Sequence, residues 1–205
     1  MKILSVSDKV EKQLLTRGNT LLPAHPDIIL ACGDLPPEYL TELREFYSVP
    51  LYYIEGNHDI RYDDSPPLGC TNIHAQIITE QGIRIMGLSG SRWYNGGKNQ
   101  YTEPEMKKTI RSLWFQLLQV NRMDIIITHA PPRFINDKED PCHKGFRSFS
   151  SLIKKHKPVW FVHGHIHSFF KTPADRLTQV CETKVLNCYG FFFFETELVE
   201  EQAKS

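Results

Sequence analysis

The sequence predicts a mixed α/β fold, and two kinds of pattern support this prediction. In the first half of the chain, short apolar runs typical of buried strands alternate with segments of helical periodicity. Further apolar runs, separated by turn residues, indicate hairpins. Strands interleaved with helices favour helices packed on a mixed sheet, and we expect one domain covering residues 1–205.

Five of the apolar runs end in residues whose side chains bind metals. They are KILSVSD with Asp8, DIILACGD with Asp34, LYYIEGNHD with Asn57, His58 and Asp59, DIIITHAPP with His129, and VWFVHGHIH with His165 and His167. Ligands bind beyond the carboxyl ends of strands in open α/β sheets. We therefore expect distant parts of the chain to build one polar site at this edge.

The segments between these runs predict the remaining elements. The pattern indicates helices over residues 9–18 and 36–48, a hairpin around Gln81-Gly82, and two final strands around a turn at 187–190. Phe149, Leu152 and Ile153 indicate another helix before VWFVHGHIH. Thr102 and Glu105 match a capping box at the start of a helix of about four turns. Its expected apolar face consists of Ile110, Leu113, Trp114, Leu117 and Leu118.

Composition excludes several classes of protein. Lys+Arg and Asp+Glu both total 24, so the net charge gives no reason to expect a nucleic acid or an anionic membrane as partner. The five cysteines are scattered, which favours reduced thiols in the cytoplasm. The start of the chain turns polar too early for a signal peptide, and we expect no membrane span. Nothing in the pattern indicates the oligomeric state.

The residues at the strand ends suit a centre of two divalent metals. Carboxylate and amide oxygens bind hard cations, and imidazole suits manganese, iron and zinc. Asp34 is the natural carboxylate to bridge two metals, which together can clamp a phosphate and activate water. His58 directly follows a ligand candidate, which suits a general acid, and we expect Asp59 to orient its imidazole.

These residues resemble the motifs of the calcineurin-like metallophosphoesterase superfamily. That pattern is D-x-H, GD, GNH[DE], a lone His after a strand, and GHxH, and the matching residues run in this order from Asp8 to His167. The resemblance implies a four-layer αββα sandwich of two mixed sheets flanked by helices. It also implies a dinuclear metal centre that hydrolyses phosphate esters. The small size is similar to the compact bacterial and archaeal members.

One position departs from the superfamily pattern. Val10 stands where the first motif has a histidine, which in the family binds the first metal. By resemblance, Asp8, Asp34 and His167 hold the first metal, and Asp34, Asn57, His129 and His165 hold the second. We therefore expect a complete second site and a weaker first site. Manganese is the expected metal at both sites, with iron, zinc, nickel or cobalt as alternatives.

Two further residues are candidates for binding a small-molecule phosphate ester. Arg92 follows a strand in the glycine-rich SGSRWYNGG segment, and His143 lies in the long loop after THAPP. Each has an ordinary alternative, a surface arginine and a loop histidine. Similarly, an aspartate at position 8 can cap a turn, and Asp59 can stabilise one.

The leading functional hypothesis is a metal-dependent phosphoesterase, with a phosphodiester favoured as the substrate. The rival hypothesis is a non-catalytic interaction or sensor module on the same fold. Val10 favours the rival, whereas the retained Asn57-His58 pair and the two histidines of GHxH oppose it.

Overall fold

The fold is a sandwich of two mixed β-sheets, and it confirms the predicted fold class. The computed structural model describes residues 1–18, 20–120 and 123–197. The last eight residues of the expected domain lie outside the described part, and they include Leu198, the end of the expected final strand segment.

The strands are β1 (Lys2–Ser7), β2 (Ile28–Ala31), β3 (Leu51–Tyr53), β4 (Thr71–Asn72), β5 (Gln76–Glu80), β6 (Ile83–Leu88), β7 (Ser91–Arg92), β8 (Gln100–Tyr101), β9 (Ile125–Thr128), β10 (Trp160–His163), β11 (Leu177–Val180), β12 (Thr183–Asn187) and β13 (Gly190–Glu195).

The first sheet has the strand order β13-β1-β2-β3-β4, and the second has the order β11-β12-β10-β9-β6-β5. Strands β1 to β4 run parallel, as do β12, β10, β9 and β6, while β13, β11 and β5 are antiparallel edge strands. Near the ends of the strands, Val6 pairs in register with Ala31, and His163 pairs with Thr128. Because neighbouring parallel strands end at the same position along the sheet, the residues that follow them meet at one edge of the sandwich.

In the described part of the chain, four α-helices complete the outer layers: α1 (Pro37–Tyr47), α2 (Glu103–Ser112), α3 (Trp114–Gln119) and α4 (Arg147–His156). Alternate side chains of each strand face opposite ways, so every sheet contributes to two apolar layers. Ile3 and Ile125 pack between the sheets, Leu4 packs under α1, and Ile126 packs under α2 and α4. This alternation produces the four-layer order.

Most of the predicted elements form, with three differences. The segment 9–18 forms only a short 3₁₀-helix, Lys12–Leu15, in which Leu14 alone is fully buried. The two final strands form, but they pair in different sheets and so do not make a hairpin. The capping box at Thr102 is present, yet the long helix that it begins is broken at Leu113.

The break at Leu113 changes which residues the helix buries. The backbone of Leu113 has φ −89° and ψ 0°, and α3 begins at the next residue. Leu113 and Leu117 remain buried, whereas Trp114 is 60% exposed and Leu118 is 69% exposed. The prediction that Trp114 and Leu118 belong to the buried face is therefore wrong. Burial of Leu113 and Leu117, one residue per turn, is sufficient to pack this short helix against the core.

Among the described residues, none of the helices combines the length and the apolar character that crossing a bilayer requires.

The exposure of Trp114 predicts a small effect of its substitution on stability. Trp114→Ser should change the free energy of unfolding by about 0.5 kcal/mol or less, as is usual for surface substitutions. Phe149→Ala should lower it by about 3–5 kcal/mol, because Phe149 is fully buried between Phe146 and Phe161. Urea unfolding measures both changes, and a loss of similar size in the two variants would contradict the exposed position of Trp114.

Candidate metal centre

The ligand candidates predicted from the sequence meet at the carboxyl edges of the two sheets. Asp8, Asp34 and Asn57 follow β1, β2 and β3 of the first sheet. His129 follows β9, and His165 follows β10, in the second sheet. The site therefore lies where both sheets end, and each sheet supplies part of it.

Three side chains form a tight cluster around His129. Its Nε2 atom lies 3.0 Å from Nδ1 of His165, 3.2 Å from Oδ1 of Asn57 and 3.2 Å from Oδ2 of Asp34. His129 is fully buried, and His165 and Asn57 are only 5% and 6% exposed. Asp34, His129 and His165 are the kinds of side chain that hold a metal ion, and their donor atoms lie within 4.8 Å of one another.

Two backbone carbonyls fix the protonation of the two imidazoles. Nδ1 of His129 lies 2.8 Å from the carbonyl oxygen of Cys32, and Nε2 of His165 lies 2.7 Å from the carbonyl oxygen of Cys142. A carbonyl only accepts hydrogen bonds, so each of these nitrogens carries the proton and donates it. In the neutral rings the opposite nitrogens carry lone pairs, which face each other and two oxygens across about 3 Å. These acceptors repel one another unless a positive charge, from a proton or a metal ion, lies among them.

The charges around the cluster also favour a cation. Although burial lowers it, the nearby carboxylate of Asp34 raises the pKa of His129 to about 10. Burial and the adjacent His129 lower the pKa of His165 to about 3. Burial raises the pKa of Asp34, but His129 lowers it by more, so this carboxylate stays ionised. One positive charge therefore belongs in the cluster, and either a proton on His129 or a metal can supply it.

The expected first-metal ligands form a more open group. Oδ1 of Asp8 lies 3.3 Å from Nε2 of His167, whose side chain is 59% exposed. Oδ2 of the buried Asp8 accepts the backbone N–H of His165 at 2.9 Å. Although burial raises it, the hydrogen bond from His167 lowers the pKa of Asp8. Val10 packs against the apolar cluster under α1.

The backbone at three ligand candidates adopts left-handed conformations. Asp8, Asp34 and His165 have φ values of 62°, 57° and 65°. Residues with a Cβ rarely adopt such values, and they concentrate at functional sites. The space beside them is also restricted, since a Cβ built on Gly164 would lie 2.5 Å from Oδ2 of Asp8. The glycine therefore permits the close approach of two ligand loops.

Asp59 has a different role from the one that the sequence suggested. Its carboxylate accepts hydrogen bonds from the backbone N–H groups of Gly56 at 2.7 Å, Asp34 at 2.8 Å and Leu35 at 3.2 Å. These bonds join the loops after β2 and β3, which carry two ligand candidates. Burial and the charge of Asp34 raise the pKa of Asp59 to about 7. The prediction that Asp59 orients the imidazole of His58 is thus corrected, because its oxygens are engaged by backbone amides.

His58 lies at the surface beside this cluster. Its backbone N–H donates to Oδ1 of Asp34 at 2.8 Å, and its exposed side chain borders a cleft of about 510 Å³. The cleft is also lined by Glu38 and Arg61, which pair at 2.6 Å. The imidazole is therefore accessible to a ligand in the cleft.

The two substrate-binding candidates, His143 and Arg92, make different contacts in the structure. Nδ1 of His143 lies 2.7 Å from Oδ1 of Asp140, and its ring centre lies 5.3 Å from that of His165. His143 is thus part of the wall of the site. Arg92 instead pairs with Glu103 at 3.2 Å, and the same carboxylate accepts the first backbone N–H groups of α4. This structural pairing argues against Arg92 as a substrate contact, because its guanidinium helps to hold α4.

Several contacts that shape the site have no clear signal in the sequence. The hydroxyl of Tyr94 accepts Nδ2–H of Asn57 at 3.3 Å, which turns the amide oxygen of Asn57 towards His129. A tyrosine in a glycine-rich loop was the only indication of this role. The carbonyls of Cys32 and Cys142 are backbone atoms, so no residue type marks them.

Comparison with known proteins identifies similar sequences and structures. The model of the family described as calcineurin-like phosphoesterase matches residues 6–169. TT1561 of Thermus thermophilus is 18% identical, with 92% of this chain and 89% of that chain covered and a TM-score of 0.63. GAP50, the anchor in the inner membrane complex of Plasmodium, is 11% identical, with 92% and 71% covered and a TM-score of 0.54. At these identities the two structures show a shared fold alone. Comparison with curated proteins yields no significant match.

The raised pKa of His129 predicts that a metal displaces a proton when it binds. Below pH 10 the metal-free cluster carries this proton, so the apparent metal affinity should rise about tenfold per pH unit and weaken as the pH falls. Calorimetric titration of the chelator-stripped protein with Zn²⁺, in two buffers of different ionisation enthalpy, measures the release. We expect about one proton per ion near neutral pH. Release close to zero would contradict a protonated His129.

Proposed function

Because the chain belongs to the calcineurin-like phosphoesterase family, we propose that it is a metal-dependent phosphodiesterase with a centre for two metals. The observation that carries the proposal is the cluster of imidazole nitrogens and oxygens around Nε2 of His129. Burying such acceptors together is unfavourable without a positive charge among them, and this supports a cation site.

The proposed ligands are those that the family resemblance implies, and the hydrogen bonds among them support the assignment. Asp34, Asn57, His129 and His165 would hold the second metal, and Asp8, Asp34 and His167 the first. Asp34, whose Oδ1 accepts the backbone N–H of His58, would contribute its carboxylate to both ions. When bound, two divalent ions supply Lewis-acid stabilisation of a phosphate and an activated water. Manganese is the metal we propose, and iron, zinc, nickel and cobalt suit the same donors.

We propose that His58 holds the proton that the leaving oxygen requires. Its exposed imidazole borders the cleft, and its backbone is fixed to Asp34, so it is near the ligands without being one. An accessible imidazole can act as a general acid. His143, held by Asp140 beside His165, is proposed to contact the phosphate ester from the other side of His165.

The first metal site is proposed to be the weaker one. Val10 packs against the apolar cluster under α1, and His167 is the more exposed imidazole of the set. With two carboxylates and one histidine, the first ion would need water to complete its coordination. The same observation supports the rival function, a module on this fold that binds a ligand without turnover.

We also propose a cytoplasmic location and a small phosphate ester as the substrate. All five cysteines are free thiols, which suits a reducing compartment. The cleft beside His58, of about 510 Å³, is of the size that small-molecule sites have.

The proposed roles predict different consequences for different histidines. Chelator-stripped protein supplied with Mn²⁺ should hydrolyse bis-p-nitrophenyl phosphate. His58→Ala should lower turnover about 10²–10⁴-fold, as the loss of a general acid does, while bound manganese stays unchanged. His165→Ala should lose both activity and metal. Initial rates measure turnover, and elemental analysis of the dialysed protein measures the metal.

The control is Asp34→Asn, which removes the shared carboxylate charge and should abolish metal-dependent hydrolysis. Wild-type protein that binds metal but hydrolyses neither this diester nor the corresponding monoester would favour the module without turnover. Full activity in His58→Ala would disprove the proton-donor role alone and leave the metal centre intact.

A further inference from the structure

A groove in the outer helix layer lies apart from the proposed metal ligands. It has a volume of about 360 Å³ and runs between α2 and α3 on one side and α4 on the other. Its apolar floor is formed by Ile110, Leu117 and Leu152. None of the metal-ligand candidates lines it, so the groove is independent of the proposed catalysis.

Large apolar side chains stand exposed at one wall of the groove. Trp114 and Leu118 line it and are 60% and 69% exposed, and the neighbouring Phe115 is 60% exposed. Single exposed apolar residues are common, but a contiguous group beside an apolar groove marks an interaction surface. The stability of the fold does not explain this exposure, because the buried Leu113 and Leu117 already pack α3 against the core.

Basic residues flank the groove on both sides. Lys107 and Arg111 line it on α2, and Lys155 and His156 line it on α4. The sequence has no Asp or Glu from residue 106 to 120 or from 147 to 157, although the whole chain carries equal numbers of acidic and basic residues. The positive charge is therefore concentrated on this face, which complements an anionic partner.

The shape of the surface decides among the anionic partners. A bilayer surface would contact Trp114 and Phe115 but would leave the concave floor at Leu152 unfilled. Two copies of this face that met across a two-fold axis would bring like charges together. Among the described helices, α1 has an acidic exposed side, but its apolar residues are buried apart from Phe46, which is 37% exposed. Within residues 1–18, 20–120 and 123–197, a second copy of this chain thus offers no matching helix.

We propose that the groove binds an amphipathic helix of a partner protein, with an apolar stripe flanked by acidic residues. The stripe would lie on Ile110, Leu117 and Leu152, beside Trp114 and Leu118. The acidic flanks would face the cations of α2 and α4. This is the helix-in-groove mode of recognition, in which spaced apolar anchors supply affinity and the charged rim supplies orientation.

The test is fluorescence anisotropy with the full chain and a labelled peptide of about 18 residues, or about five helical turns. The peptide carries leucines at helical spacing and glutamates on the flanks. We expect saturable binding that weakens at high salt. Arg111→Glu with Lys155→Glu should raise the dissociation constant by about tenfold or more, and Leu118→Ser by a smaller factor.

Matched controls change exposed residues elsewhere on the surface. Lys171→Glu and Phe169→Ser should leave the dissociation constant unchanged, and a peptide with lysines in place of glutamates should not bind. No saturable binding of the acidic peptide, or equal binding by the groove and control variants, would overturn the proposal. So would groove-dependent binding to vesicles of phosphatidylcholine and phosphatidylserine without peptide binding, or groove-dependent dimerisation in sedimentation equilibrium.

Discussion

The candidate site depends on two backbone carbonyls that each hold one imidazole. The Cys32 carbonyl, at the end of the first sheet, receives Nδ1–H of His129 from the second sheet. The Cys142 carbonyl, in the loop before α4, receives Nε2–H of His165. Because one proton of each ring is committed to a carbonyl, the remaining nitrogens face each other and can share one further proton or a metal ion. The packing of the two sheets therefore determines the protonation of the cluster, and the protonation determines its affinity for a cation.

The ligand loops adopt costly conformations, and neighbouring hydrogen bonds stabilise them. A left-handed backbone at a residue with a Cβ costs on the order of 1–3 kcal/mol. The amide of Asp8 donates to the Gly33 carbonyl at 3.1 Å, and the amide of Asp34 donates to Asp59 at 2.8 Å. Asp59 thereby supports the metal centre through the backbone. Its removal would loosen two ligand loops together, although it is not itself expected to bind metal.

The sequence predicted which residues meet at the candidate site, because strand ends are easy to recognise. Apolar runs mark the strands, parallel pairing brings their ends together, and His129 and His165 meet as this reasoning expects. Roles that depend on the orientation of a side chain were harder to predict. Asp59 follows His58, yet its carboxylate turns to amides of the Asp34 loop, about which local sequence carries no information. The helix break at Leu113 was also missed, because the apolar periodicity of the sequence continues through this residue without interruption.

The position of a bound metal tests the central claim most directly. Crystals grown with Zn²⁺ and measured at the zinc absorption edge would locate the ion by anomalous scattering. The structure predicts a peak about 2.0–2.1 Å from both Nε2 of His129 and Nδ1 of His165, the nitrogens opposite the carbonyl-bound ones. A peak bound to the other nitrogen of either ring, or no peak between the two rings, would contradict it.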